Sequence, residues 1–174
     1  MRDSTPKKAP HMLYTPEEKE RRDNTRWTLI QGILAPVQFL VFLVSLVLVI
    51  RYLMTGEGYF AATISVIVKT GFLYLIMITG AIWEKVVFGQ YLFAPAFFWE
   101  DVFSFAVIGL HTAYLVGLFT GHLSESGLMW LALAAYATYV INAGQFILKL
   151  RAARLQAEAL AWQKVQVSGS EVMA

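Results

Sequence analysis

Four stretches of this 174-residue chain are almost wholly apolar and each is longer than about twenty residues, a pattern that leaves few folds open. A helix needs roughly 20 apolar residues to cross the ~30 Å hydrocarbon core of a bilayer, and in lipid its backbone groups must be satisfied within the segment. The stretches run from about Trp27 to Met54, Phe60 to Phe88, Phe97 to Gly121 and Gly127 to Leu150. Short segments join them: Thr55 to Tyr59 carries a Gly-Glu-Gly turn, Gly89 to Ala96 contains Pro95, and His122 to Ser126 is polar. Connections this short make sequential helices antiparallel neighbours. The prediction is an all-α integral membrane protein, a four-transmembrane-helix antiparallel bundle spanning 27–54, 60–88, 97–121 and 127–150. A leader (1–26) precedes it, and a polar tail (151–174) follows that is expected to be loosely ordered.

Charge sets the orientation. Lys85 and the basic residues of the leader and the fourth helix's end account for twelve of the 14 Lys and Arg; Arg51 stands alone on the other side, and Lys69 lies within a span. The positive-inside rule then puts both termini in the cytoplasm. The net charge of only +2 and the absence of a basic patch exclude nucleic acid as a partner, and the lack of cysteine excludes disulfides and thiolate chemistry. In the leader, Thr15-Pro16-Glu17-Glu18 reads as a capping box opening a short interfacial helix from Thr15 to about Arg22, either a lid or a solvated anchor.

An ionisable group at the bilayer centre costs about 2.5–3.5 kcal/mol even on lenient insertion scales, so it normally faces protein or water. Every span carries such groups. Gln31 and Gln38 share a face of the first, with Pro36 between them; Lys69 and Glu84 lie on the second; Glu100, Ser104 and His111 share a face of the third, with Asp101 to one side; Asn142, Gln145 and Lys149 form a stripe on the fourth. Antiparallel packing brings Gln31, Glu84, Glu100, Asp101, Asn142 and Gln145 into the half of the bundle nearer the termini, with Lys69 and His111 toward the middle. Carboxyl groups crowded in a dry site should have at least one pKa raised, because like charges and desolvation both favour the protonated form, which is how a membrane site could hold a general acid at neutral pH. Blander readings stand beside this one. Glu84 with Lys85 reads as an interfacial ion pair, Glu100 and Asp101 as caps of the third helix, His111 as a hydrogen-bonded core residue, and the polar amides as interhelical glue. Aromatic residues including Trp83, Phe88, Phe97 and Trp99 gather near the same end, as an interfacial belt or the wall of a cleft. Gly109, Ala113, Gly117 and Gly121 recur every four residues and offer a ridge for close packing or a homo-oligomer. No phosphate-binding loop, nucleophile elbow or zinc helix is present.

The runs Leu13-Tyr14-Thr15-Pro16-Glu17-Glu18, Trp27-Thr28-Leu29-Ile30-Gln31-Gly32, Ile82-Trp83-Glu84-Lys85-Val86-Val87-Phe88-Gly89, Phe93-Ala94-Pro95-Ala96-Phe97-Phe98-Trp99-Glu100-Asp101 and Tyr139-Val140-Ile141-Asn142 resemble the 3-vinyl bacteriochlorophyllide hydratases of phototrophic bacteria. The resemblance covers about Leu13 to Arg154. It implies a multi-pass protein of a bacterial inner or intracytoplasmic membrane. The implied reaction adds water to the 3-vinyl group of a magnesium tetrapyrrole, giving a 3-(1-hydroxyethyl) group. The only metal is the substrate's own magnesium, and no separate cofactor is expected. Such a reaction needs an acid and a base. The residues suggest Glu100 first and Glu84 second as proton donor, with Asp101 or the other glutamate positioning water. His111 is a possible axial ligand of the substrate magnesium or a hydrogen-bond donor, and Gln38, Asn142, Gln31 and Trp99 would contact the macrocycle. The alternative is a non-catalytic tetrapyrrole-binding or assembly subunit of a photosynthetic membrane, with His111 as ligand.

Overall fold

Thr15 opens the helical structure as the sequence suggests. Its backbone N–H donates to Glu18 Oε2 at 2.8 Å while its hydroxyl accepts from the Glu18 N–H at 3.2 Å, closing the capping box at the start of α1 (Pro16–Asn24). Extended Thr25 then separates α1 from α2 (Arg26–Thr55), which passes through Pro36 unbroken. The turn after it uses Gly56 and Gly58 at φ 73° and 84°, a left-handed conformation that glycine adopts without a Cβ penalty. The remaining elements are α3 (Tyr59–Phe88), α4 (Phe98–Thr120) and α5 (Glu125–Val172). This computed structural model describes residues 13–172; leader residues 1–12 and tail residues 173–174 lie outside the described part.

Three of the four predicted spans coincide with α2, α3 and α4 to within a residue at each end. The fourth differs, because α5 continues through Val172. The stretch expected to be loosely ordered is helical, and Ala152-Ala153-Arg154-Leu155-Gln156-Ala157-Glu158-Ala159 is made of strong helix formers that need no packing to favour the conformation.

Helices α2 and α3 pack closely as one hairpin and α4 and α5 as another, with sparser contact between the hairpins. All four are long and apolar enough to cross a membrane. The outer surface is studded with exposed Leu29, Leu40, Val44, Val47, Phe60 and Phe119, whereas Lys69, Glu84, Glu100, Asp101 and His111 are buried. This reversal of the soluble pattern is what a lipid solvent selects. Between the hairpins lie Phe42, Val49, Val66, Leu73, Val107, Tyr114, Met129, Ala132 and Tyr136. A hydroxyl relay, Ser65 to Ser45 to Tyr136, ties α3, α2 and α5 together. Both termini leave one end of the bundle, here the terminal end, which also carries the α3–α4 loop; the other two turns form the far end.

The small-residue ridge on α4 is not a single surface. A Cβ on Gly117 would meet Leu123 Cδ1 at 2.8 Å and Leu128 Cδ2 at 3.3 Å, so Gly117 admits the start of α5. Gly121 is the helix C-cap at φ 68°. Gly109, Ala113 and Gly121 are exposed, and Gly117 is buried.

Candidate active site

The α3–α4 loop builds the terminal end of the interhelical seam. Phe93 adopts φ 59°, unusual for a residue with a Cβ. The following turn closes through Phe97 N–H donating to Ala94 O at 2.7 Å. In this conformation two successive backbone N–H groups point inward: Phe93 N–H donates to Asp101 Oδ2 at 2.6 Å and Ala94 N–H to Glu84 Oε2 at 3.2 Å. Such a paired-amide concavity is a preformed site for negative charge. The carboxyl groups of Glu84, near the end of α3, and Asp101, from the first turn of α4, are neighbours, close enough for each to act on the other. Neighbouring carboxyl groups in a buried place disfavour holding two negative charges at once. Both side chains are buried.

Glu100 is equally buried but differently engaged. Lys149 Nζ of α5 donates to its Oε2 at 2.6 Å, and the Lys149 ammonium lies 5.0 Å from the centre of the Phe97 ring. Neither Glu100 nor Asp101 caps α4, since Phe97 holds the N-cap position without a side-chain cap. The Glu84–Lys85 pair of the sequence reading is also absent: Lys85 Nζ donates to Gly89 O at 2.7 Å and lies over Tyr91, away from Glu84.

Aromatic rings close this end. Phe97 is buried against Tyr14, Trp83, Phe88 and Phe146. Tyr14 stacks on Phe88 with centroids 5.8 Å apart, and Arg22 sits over Tyr14. Arg21 Nε donates to Val87 O at 2.8 Å, satisfying an orphan carbonyl at the end of α3. The first helix is therefore docked as a lid over the aromatic cluster. Burial of the Tyr14 hydroxyl pushes its pKa up, against the lowering effect of Arg22.

The other expected site residues separate by depth. Gln31 is used between helices, donating to Thr79 Oγ1 at 2.7 Å. Trp99 is 66% exposed, because turning Glu100 and Asp101 inward turns their neighbour outward to the lipid face. Gln38 is buried on α2. Asn142 ties α5 to α4, its Nδ2 donating to Ser104 Oγ at 2.9 Å. His111 shares a face with Glu100 but lies eleven residues further along α4, roughly 16 Å by helix rise. Its Nδ1 pairs with Val107 O at 2.8 Å, leaving Nε2 without a partner. Beside it, Lys69 Nζ stands 4.0 Å from the centre of the Tyr139 ring. The polar residues thus form two centres, carboxyl groups at the terminal end and Lys69 with His111 at mid-depth.

Lys149 was visible in the sequence as part of the α5 stripe but not as a partner of Glu100. The Phe93 and Ala94 amides carried no signal, because Phe-Ala is not a turn signature and the donors are backbone.

The model of the 2-vinyl bacteriochlorophyllide hydratase family matches residues 14–152, spanning α1, the α3–α4 loop and Glu84, Glu100 and Asp101. The chain belongs to that family. It is 73% identical over 153 residues to a 2-vinyl bacteriochlorophyllide hydratase of Cereibacter sphaeroides, covering 87% of this chain and 94% of that one. It is also 74% identical over 145 residues to one of Rhodobacter capsulatus, covering 83% and 84%. No solved structure matches the chain. The 2-vinyl of the family name and the 3-vinyl of the resemblance above are one substituent under two numbering conventions, so the family expected from the sequence is the family found.

Proposed function

We propose that this chain adds water across the vinyl group of a bacteriochlorophyllide-type macrocycle, the proton coming from the Glu84–Asp101 pair. Its relatives are named for that activity. The observation that carries the chemistry is the buried pair of neighbouring carboxyl groups, each accepting a backbone N–H from successive residues of one loop.

The pair's proton passes to the terminal vinyl carbon, which becomes a methyl group, and the macrocycle delocalises the cation left on the carbon next to the ring. A water oxygen bonds to that carbon and one of its protons returns to the carboxylate, so each turnover consumes one water and restores the pair. The Phe93 and Ala94 amides hold the negative charge that develops on the pair as its proton leaves. This reading moves the acid from Glu100, first in the sequence ranking, to Glu84 and Asp101, because a carboxylate ion-paired with Lys149 has no proton to give. Glu100 and Lys149 then position the loop and the water.

His111 fits poorly as ligand of the magnesium of a macrocycle reacting at Glu84 and Asp101. A tetrapyrrole metal lies five bonds from a vinyl terminus, roughly 7 Å at ordinary bond lengths, well short of the distance between the two centres. The basic residues at the terminal end support cytoplasmic termini in a bacterial inner or intracytoplasmic membrane.

Membranes containing the chain, incubated with the vinyl substrate in oxygen-18 water, should yield hydroxyethyl product heavier by one labelled oxygen. Glu84→Gln should bind pigment and leave it unaltered. Bound, unaltered pigment with the unsubstituted chain would favour the carrier reading.

A further inference from the structure

Six buried side-chain atoms of the described residues have no hydrogen-bond partner: Thr63 Oγ1, Lys69 Nζ, His111 Nε2, Tyr114 OH, Asn142 Oδ1 and Gln145 Oε1. They come from α3, α4 and α5 and follow the polar stripes down the middle of the bundle. Thr63 and Tyr114 lie toward the far end, Lys69 and His111 at mid-depth, and Asn142 and Gln145 nearest the carboxyl groups. Thr63 and Tyr114 lie close enough to act on each other; leaving a buried polar atom unpaired costs about 1–3 kcal/mol, so the other four, drawn from three helices, describe a place built for an occupant.

The chemistry of these four identifies it. Lys69 Nζ can donate. His111 Nε2 can only accept, because Nδ1 faces the Val107 carbonyl, and the Asn142 and Gln145 carbonyl oxygens can only accept. An anion would satisfy Lys69 but oppose three lone pairs. A metal ion would suit the lone pairs but oppose Lys69, which is close enough to His111 for its charge to act on the ring. Water both donates and accepts, and is small enough for a closed seam.

Position gives the water a task. The hydration reaction consumes one water per turnover, while at the terminal end Phe97 and Ala94 are nearly fully buried and the Tyr14 ring lies against Phe97. A polar route through the bundle interior would resupply it. Resting on the hydratase reading above, we propose that the seam between the two hairpins holds a file of ordered waters centred on Lys69 and His111, and that this file delivers the water consumed at Glu84 and Asp101. Asn142, fixed through Nδ2 by Ser104, presents its free Oδ1 as the last step. Lys69, His111 and Asn142 are positioning residues for water.

Two measurements on the full chain in lipid nanodiscs test this. Millisecond X-ray hydroxyl-radical labelling oxidises side chains that touch bound water. His111, Tyr114 and Tyr139 should label strongly, and lipid-facing Phe39 at similar depth should not. Labelling of the three no stronger than Phe39 overturns the file. In steady-state assays Lys69→Met, His111→Phe and Asn142→Leu should each lower kcat at least ten-fold with pigment Kd within two-fold, while His111→Gln, which keeps an acceptor, should recover most of the rate and rule out a loss of folding. Unchanged kcat in the apolar variants overturns delivery. A rise in KM for the free-acid pigment but not its methyl ester in Lys69→Met would make the seam an anion site and overturn the proposal. If Glu84→Gln keeps full turnover, the carboxyl reading fails by itself, since the labelling pattern does not depend on it. Strong labelling in a chain that hydrates no vinyl group would retain the water and overturn its task.

Discussion

Three neighbouring carboxyl groups make three different predictions because their partners differ. Glu84→Gln and Asp101→Asn keep shape and hydrogen bonding but remove the pair's proton, so each should lower turnover by about 10²–10⁴, the usual contribution of a general acid, with pigment retention unchanged. Lys149→Met leaves Glu100 a buried carboxylate without its ammonium. The cost should be about 2 kcal/mol, below that of a fully buried pair because the Lys149 side chain keeps 27% exposure, and a lowered thermal midpoint in detergent would measure it. Glu84, Glu100 and Asp101 were legible in the sequence as charges that lipid would not tolerate without a reason. Their division of labour was not, because it depends on which helix faces which: Lys149 reaches Glu100 from α5, and the amides reach the other two from a loop. Trp99 misled for a related reason, since aromatic composition near a membrane surface does not distinguish a ring in a cleft from a ring in the lipid boundary.

The elements were legible in proportion to how far local physics decides them. Helices α2, α3 and α4 end where the apolar runs end, and the capping box fixed the start of α1. The loop from Gly89 to Phe97 was opaque because its shape depends on Phe93 at φ 59°, which a propensity argument would assign to glycine or asparagine. The docking of α1 was undecided because it rests on tertiary partners, Arg21 to Val87 and Tyr14 on Phe88. Arg21→Ala removes a charged donor from the α3 carbonyl, a loss of roughly 1.5–3 kcal/mol for hydrogen bonds of this kind. The lid should then open more often. Cleavage at Glu17 and Glu18 by a glutamate-specific protease should become about ten-fold faster or more, with the midpoint of the bundle little changed. Equal cleavage rates would mean that α1 is held by its rings alone.

On the scale of the molecule, an even number of spans returns both termini to one end and gathers the carboxyl groups, the lid and most of the basic residues there. Which membrane face that end meets is set by charge and not by packing, since the same bundle is equally well packed in either orientation. The absence of cysteine from the sequence allows a direct measurement. Asp23 at the terminal end and Glu57 at the far end are both exposed, so Asp23→Cys and Glu57→Cys introduce single reporters without disturbing a buried group. A membrane-impermeant maleimide added to intact spheroplasts should modify Glu57→Cys and reach Asp23→Cys only after the membrane is opened. The reverse pattern would put the lid and the carboxyl pair on the outer face. Modification of both before opening would mean mixed insertion, and the twelve-to-one distribution of basic residues would then not be setting the orientation.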